Sequence, residues 1–452
     1  MTPAELAARA LDAAGAGEDA FATAVRERSL MLRFADSRPT QATAVDDVEL
    51  ELAVVRDGHV GRASTNDIEP GALKKCARAA AEAADAAARA DGSGPYPGFP
   101  APGPARGHSG HDPATARLDA GQGGGALAAA FEAAAAAGMQ AHGIWTAAEV
   151  ETAVASAGGT VADRVTDAFM KVICIAAGGR SGYASRTAIA AGELDGAALA
   201  EHAAAKAAAG GEQARLPAGE YPVVMEAHAV GWLLDLLGTT ALNGLAHAEG
   251  RGALGDKLGR QVASPAINLS DSPSSPHTLP RAFDAEGVPK APLPLIEDGV
   301  AKRVVHDVRS GVLAGQPSTG HARRVGGAPG GPHPTNLVLA GGCAADEAEL
   351  CAPVERGVYV TRLWYANVVR PKESLVTAVT RDGTFLIEDG RITRPLADLR
   401  LTDSVLGILG RTQALGARQA LTSDGEFYGR RFAAGVVCPA LRAGAVRFTG
   451  SA

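Results

Sequence analysis

Residues Val223–Gly259 read VVMEAHAVGWLLDLLGTTALNGLAHAEGRGALGDKLG, and they set the pattern of the second half of the chain. The stretch opens with the apolar run Val223–Met225, which is typical of a strand. Apolar residues then recur with helical spacing, and glycines follow them. The stretch therefore predicts a strand, a long amphipathic helix and a glycine-rich turn that carries Glu249, Gly250 and Arg251.

Upstream of this stretch the patterns are rich in helix, and downstream they are rich in strand. Helices are predicted at residues 2–16, 69–90, 112–138 (broken by Gly121–Gly125) and 192–209, with short strands and a hairpin at 48–63 between them. These patterns predict an α+β protein, in which a helix-rich α/β N-terminal domain (1–214) precedes a strand-rich, largely antiparallel β C-terminal domain (215–452). A Gly- and Pro-rich loop or linker is expected at about 91–112.

Two Asp-Gly pairs and one alternating segment make specific predictions for the second half of the chain. Asp382-Gly383 and Asp389-Gly390 predict two turns that divide 375–392 into a meander of three strands. Arg362 and Trp364 alternate with Leu363 and Tyr365, so one pair is expected to face the core and the other pair a surface or a partner.

The composition excludes several classes of protein. The net charge of −7 comes without a long basic run, which argues against binding to nucleic acid. No apolar run reaches the roughly 18 residues of a membrane span, and the first residues do not have the character of a secretion signal. The five cysteines form no CxxC pair, which favours reduced thiols in a cytoplasmic protein.

Familiar catalytic motifs are missing from the sequence. His108 and His111 are three residues apart in a Gly-rich segment without a glutamate between them, so a solvated loop is favoured over a zinc site. There is no G-x-S-x-G nucleophile elbow and no P-loop. Cys438 lies in an apolar run and is expected to be a buried structural thiol.

Several long phrases together resemble the TldD/TldE (PmbA) family, once called modulators of DNA gyrase and now regarded as two-subunit metallopeptidases. The phrases include EGR at 249–251, FDAEGV at 283–288, LIEDG at 295–299, STGHA at 318–322, PTNL at 334–337, TRLWYANVV at 361–369 and TRDGTFLIEDG at 380–390. In that family the TldD subunit carries a His-Glu-x-x-x-His zinc motif directly after a Leu-Leu pair. Here Leu233–Leu234 is followed by DLLGTT at 235–240, without the histidines or the glutamate. The chain therefore resembles the TldE subunit.

The resemblance implies a partner and a type of substrate. It implies that a TldD-like subunit supplies the zinc, in a heterodimer or larger complex that cleaves unfolded or modified peptides, and that this chain holds no metal and no catalytic residue. A homodimer stays possible for the chain alone. The alternative is a subunit in natural-product biosynthesis that acts on a small peptide-like conjugate without proteolysis by this chain. The residues expected to contact substrate come from the shared phrases: Arg251, His321, Asn336, Arg362, Trp364 and Asp382.

Overall fold

A computed structural model describes residues 1–15, 19–90, 96–209, 212–275, 277–423 and 430–451, with the side chain of residue 451 excepted. The described residues form two sheets with helices, which confirms the α+β class. The strands of the first sheet lie within residues 19–188, and those of the second within 219–451. The domain boundary expected near 215 falls between these ranges and stays a prediction, and residues 91–95 of the expected linker lie outside the described residues.

The first sheet has six antiparallel strands in the order β3-β2-β1-β4-β5-β6. Its strands are β1 (Asp19–Ala35), β2 (Arg38–Arg56), β3 (His59–Thr65), β4 (Gln140–Ser156), β5 (Gly159–Ile175) and β6 (Ser181–Ala188). Four helices accompany it: α1 (Pro3–Ala14), α2 (Pro70–Arg89), α3 (Ala120–Ala136) and α4 (Gly196–Ala207). The predicted hairpin at 48–63 is present, but the strands around it are much longer than the short runs that the sequence suggested.

The helices cover one face of the first sheet through apolar side chains. Leu6 of α1 and Leu73 of α2 pack with Ala22 and Leu52 of the strands, and α3 and α4 form a second cluster around Trp145. Phe21 points to a different cluster, in which Phe283 of the second half of the chain takes part. The first sheet is therefore packed against helices on one side and against the rest of the protein on the other.

The predicted break at Gly121–Gly125 does not occur, because α3 runs through these glycines from its N-cap Asp119. A Cβ atom at Gly123 would lie 2.7 Å from Leu32 Cδ1 and 2.9 Å from Trp145 Cε3. Close packing of the helix on the sheet accounts for this glycine, and the packing outweighs its weak helix propensity.

The second sheet has eleven strands, and most of its neighbours are antiparallel. Only β12–β7 and β11–β17 are parallel pairs among the described strands. The strands are β7 (Gly219–Met225), β8 (Leu269–Asp271), β9 (Leu293–Glu297), β10 (Val300–Ala301), β11 (Asn336–Leu339), β12 (Arg356–Arg370), β13 (Leu375–Glu388), β14 (Arg391–Pro395), β15 (Leu399–Ser404), β16 (Thr412–Thr422) and β17 (Gly435–Ser451). Because β17 pairs with both β15 and β7, the order β7-β12-β13-β15-β17 returns to its start.

Helix α5 (Ala227–Thr240) packs its apolar face on this sheet. Leu233, Leu234 and Leu237 are buried with Val360 of β12 and Leu441 of β17. The other helices of this half are short: α6 (Gly244–Ala248), α7 (Val308–Ala314), α8 (Glu347–Cys351) and α9 (Val405–Gly410). None of the helices in the described ranges is long and apolar enough to cross a membrane.

Two predictions for the second half were wrong. Asp382-Gly383 makes no turn, since both residues lie inside β13 with φ angles of 54° and 128°, and only Asp389-Gly390 reverses the chain. The alternation along 362–365 also fails: Arg362 and its neighbour Leu363 are both buried, whereas Tyr365 is 74% exposed. The register shifts between Trp364 and Asn367, and Tyr365 has a φ of 53°, so an irregularity of the strand replaces the regular alternation.

Candidate functional site

A cavity of about 610 Å³ lies along the outer face of α5. Its size is that of a small-molecule or short-peptide site. Its walls are built by α5, by the segment 323–335 and by residues near the end of β16 and the start of β17. The lining residues with polar or aromatic side chains are His228, Trp232, Asp235, Thr239, Arg323, His333, Thr335, Thr422, Ser423, Arg430 and Phe432.

Helical periodicity explains which residues of α5 face the cavity. His228, Gly231, Trp232, Asp235 and Thr239 are spaced by three or four residues, so they share one face of the helix. The leucines between them are buried on the opposite face. The same pattern that makes the helix amphipathic therefore directs a mixed polar and aromatic face into the cavity.

Glycines let the cavity walls approach α5 closely. A Cβ at Gly231 would lie 2.1 Å from Thr422 Oγ1, and one at Gly238 would lie 2.6 Å from His333 Cε1. Distances this short exclude any side chain at these two positions without movement of the neighbouring wall.

At one end of the cavity Asp235 meets His333. The Nε2 atom of His333 lies 3.1 Å from Asp235 Oδ1, and the Asp235 side chain is 54% exposed. Burial acts to raise the pKa of Asp235, but the hydrogen bond and charge of His333, with the charge of Arg323, hold it below the usual value. This end therefore holds a carboxylate paired with a histidine, beside a guanidinium group.

At the other end His228 leads to a buried polar chain. Its Nε2 lies 2.9 Å from the Tyr183 hydroxyl, and the guanidinium of Arg362 lies 4.3 Å from the centre of the Tyr183 ring. Arg362 pairs with Asp382 at 3.0 Å, and both side chains are buried. Burial lowers the pKa of His228 most, and the positive charges of Arg362 and of Lys206 on α4 lower it further, to about 3. The ring is therefore neutral at ordinary pH.

The buried polar side chains behind His228 include three of the six predicted substrate-contacting residues. Arg362 lies 5.1 Å from the Trp364 ring, and Asp382 accepts a 2.6 Å hydrogen bond from the Ser181 hydroxyl. Cation–π contact and ion pairing together fix the guanidinium plane. Arg362, Trp364 and Asp382 thus form one cluster behind His228, although none of them lines the cavity.

His321 and Asn336 meet in a second buried cluster around Asp271. Asp271 Oδ1 lies 3.1 Å from Lys290 Nζ and 3.2 Å from His321 Nε2, and the Asn336 backbone N–H donates to Asp271 Oδ2 at 2.9 Å. Burial acts to raise the pKa of Asp271, but Lys290 and His321 hold it well below the usual value. This cluster touches the cavity only indirectly, since the His333 N–H donates to the His321 carbonyl at 3.2 Å.

Arg251 is separate from the other predicted residues. It forms an ion pair with Glu249 and keeps 54% of its side-chain exposure at the end of α6. The structure does not place it at the cavity, and a role of Arg251 in substrate binding stays a prediction, as it does for the other five residues.

His108 and His111 are partly buried and each contacts a carboxylate, where a solvated loop was expected. His108 Nε2 is 2.9 Å from Asp163, and His111 Nε2 is 2.9 Å from Glu149, with side-chain exposures of 11% and 19%. Within the described ranges no three His, Cys, Asp or Glu side chains are grouped so that they could hold a metal ion. The expected burial of Cys438 is confirmed, and burial raises its thiol pKa to about 12.

Sequence reasoning missed the residues that line the cavity itself. For Trp232 and Asp235 a signal was available, because their helical spacing from His228 marks the face opposite the leucines. For Arg323 and Phe432 there was none, since they reach the cavity from segments that are far apart along the chain.

Comparison with known proteins places this architecture in a family. The family described as PmbA/TldA metallopeptidase C-terminal domain matches residues 218–450, and PmbA/TldA metallopeptidase domain 1 matches residues 22–84. Curated relatives include a metalloprotease of Methanothermobacter thermautotrophicus (27% identical) and a metalloprotease TldD homolog of Haemophilus influenzae (28% identical). The matched segments cover 44% and 54% of this chain and 44% and 50% of those relatives, so the matches span about half their length.

Solved structures extend the likeness of the fold to nearly the whole chain. TldE from Thermococcus kodakarensis superimposes with a TM-score of 0.84 at 20% identity, covering 99% of each chain. A candidate modulator of a DNA gyrase from Thermotoga maritima gives a TM-score of 0.83 at 22% identity, covering 98% of this chain and 99% of that one. On the match over 218–450, which is more than half of the 452 residues, this chain is a member of the PmbA/TldD metallopeptidase family.

Proposed function

We propose that this chain is the subunit without zinc in a two-subunit metallopeptidase, and that a TldD-like partner supplies both the zinc and the general base. One observation supports the proposal: in the resemblance to the family, the positions of the TldD zinc motif correspond to Asp235, Leu236 and Thr240 of α5. Leu236 packs against the hydrophobic core and Thr240 is 1% exposed, so two of the three positions are directed away from the cavity. A catalytic zinc needs three protein ligands around an open position. The cavity face of the helix offers two side chains of that kind, Asp235 and His228, and they lie about 10 Å apart along the axis at about 1.5 Å per residue.

The role of this chain is then to shape the space in which a peptide is held. A cavity with polar groups at both ends and two aromatic side chains, Trp232 and Phe432, is suited to an extended peptide. The free thiols of the described cysteines are compatible with a cytoplasmic complex. A peptide-derived conjugate from a biosynthetic pathway would meet the same chemistry, and a biosynthetic cluster beside the gene would favour that substrate.

The proposal is tested by reconstitution. This chain, a TldD-like protein from the same genome and a mixture of the two would be assayed for bound zinc, co-elution and cleavage of an unfolded peptide. We expect that only the TldD-like protein binds zinc, that the two chains co-elute, and that full cleavage occurs only in the mixture. Stoichiometric, tightly bound zinc in this chain purified by itself would contradict the proposal, as would a failure of the two chains to associate.

A further inference from the structure

We propose that the cavity beside α5 binds the carboxylate of a short extended peptide, and that Arg323 is the group that anchors it. This inference rests on the proposed function in one respect, namely that the substrate is a peptide or a derivative of one. It adds to that function a recognition site within this chain, with a defined charge and a defined length.

The balance of charge in the cavity favours an anion. Arg323 and Arg430 contribute two guanidinium groups, whereas Asp235 contributes the one carboxylate among the described lining residues. That carboxylate is already engaged by His333 at 3.1 Å. Among the described lining residues the cationic side chains therefore outnumber the anionic ones. Guanidinium groups bind carboxylates through paired, charge-assisted hydrogen bonds.

Within the described part of the chain, Arg323 differs from Arg324 and Arg430 in having no ion-pair partner. Arg324 binds Glu51 of the first sheet, and Arg430 lies 3.5 Å from Glu49. For Arg323 the described residues provide no acceptor within hydrogen-bond or ion-pair distance, although its charge reaches Asp235. Arg323 is exposed and lines the cavity, so its guanidinium can bind a ligand there.

His228 supplies a polar group at the opposite end of the cavity. Its ring lines the cavity and is partly exposed, and its Nε2 is held by the Tyr183 hydroxyl at 2.9 Å. The ring therefore offers a contact surface for the end of a bound peptide that lies away from Arg323.

The distance between these two ends sets the length of the ligand. His228 and Asp235 are seven positions apart on α5, which corresponds to about 10 Å along the helix axis at about 1.5 Å per residue. An extended peptide advances about 3.3 Å per residue, so about three residues span the cavity. Trp232 lies between the two ends on the same helix face and provides an apolar surface for the central side chain.

Calorimetric titration of the purified chain tests the inference. The ligands are an N-acetylated tripeptide with a central phenylalanine and a free C-terminal carboxylate, and the same peptide as its C-terminal amide. We expect the carboxylate to bind roughly 10-fold more tightly, as one charge-assisted hydrogen bond warrants. In Arg323→Gln this preference should disappear, whereas in Arg324→Gln, the adjacent arginine that binds Glu51, it should persist.

Equal affinity for the two peptides, binding of neither, or a preference that survives in Arg323→Gln would overturn the inference. None of these results bears on the proposed function, because association with a zinc subunit is read separately by co-elution. Conversely, a clear carboxylate preference in a chain that binds no TldD-like partner would support the site and contradict the subunit role.

Discussion

At the scale of single residues, Glu286 is an acid whose surroundings disfavour its charge. It is fully buried, accepts hydrogen bonds from the Tyr96 hydroxyl and the Val308 N–H at 2.9 Å, and lies beside Asp284. Burial and the nearby charge of Asp284 raise the pKa of Glu286 above its usual value. A raised pKa in the folded state means that the folded protein binds more protons than the unfolded chain once the pH exceeds about 4.3.

We therefore expect Glu286→Gln to flatten the pH dependence of stability. In the parent protein this residue lowers the free energy of unfolding as the pH rises from about 4.3 towards the raised pKa, by up to about 1.4 kcal/mol per pH unit. The amide can preserve both hydrogen bonds, since it accepts from Val308 and donates to Tyr96. Urea unfolding between pH 5 and 9 measures the effect, with the exposed Glu297→Gln as control. An unchanged slope in Glu286→Gln would show that Glu286 is ionised in the folded protein.

The residue scale also shows where sequence patterns have predictive force. The buried leucines of α5 and the polar face opposite them follow from spacing alone. The break predicted at Gly121–Gly125 does not occur, and at Gly123 a contact with the distant Trp145 requires a glycine irrespective of its helix propensity. Asp382 likewise suggested a turn, yet its ion pair with Arg362 and its place within β13 depend on tertiary packing that a pattern does not contain.

At the scale of one element, the surroundings of α5 lead us to expect that substitutions would not build the TldD zinc motif on this helix. Positions 235 and 240 lie in different surroundings on this helix. Asp235 is exposed to the cavity, whereas the Thr240 hydroxyl donates to the Leu236 carbonyl at 2.9 Å in a buried setting. A histidine at 240 would have to enter the packed core.

We expect the triple variant Asp235→His, Leu236→Glu, Thr240→His to be inactive and less stable. Overpacking at a buried position typically costs about 1–3 kcal/mol, and an unpaired polar group adds to that. Thr239→His, at the neighbouring exposed position, should change the stability by less than about 0.5 kcal/mol. Zinc analysis, thermal unfolding and peptide cleavage by the chain alone provide the measurements. Zinc-dependent cleavage by the triple variant would show that the remaining ligands had been present.

At the scale of the whole molecule, the cavity depends on contacts between the two halves of the chain. Arg431, just before β17, is buried against Asp167 of β5, with its Nε 3.0 Å from both carboxylate oxygens and its Nη1 donating to Thr146 at 2.8 Å. Phe432, the next residue, lines the cavity and lies under the guanidinium of Arg281 at 3.8 Å. No sequence pattern predicted this contact, because Asp167 and Arg431 are separated by more than half the chain.

Arg431→Met is therefore expected to be among the most destabilising single substitutions at the contact between the two halves of the chain. Removal of one partner leaves Asp167, which is 4% exposed, as an unpaired buried charge, and such losses cost about 3–5 kcal/mol. Arg430→Met provides the matched control, since its ion pair with Glu49 is half-exposed and worth at most about 1 kcal/mol. Adding Asp167→Leu to Arg431→Met removes the orphaned charge and should restore part of the stability. Denaturant unfolding of the parent, of Arg431→Met, of Asp167→Leu and of the double variant completes a double-mutant cycle. Additive effects of the two substitutions would show that the Arg431–Asp167 pair does not join the two halves of the chain.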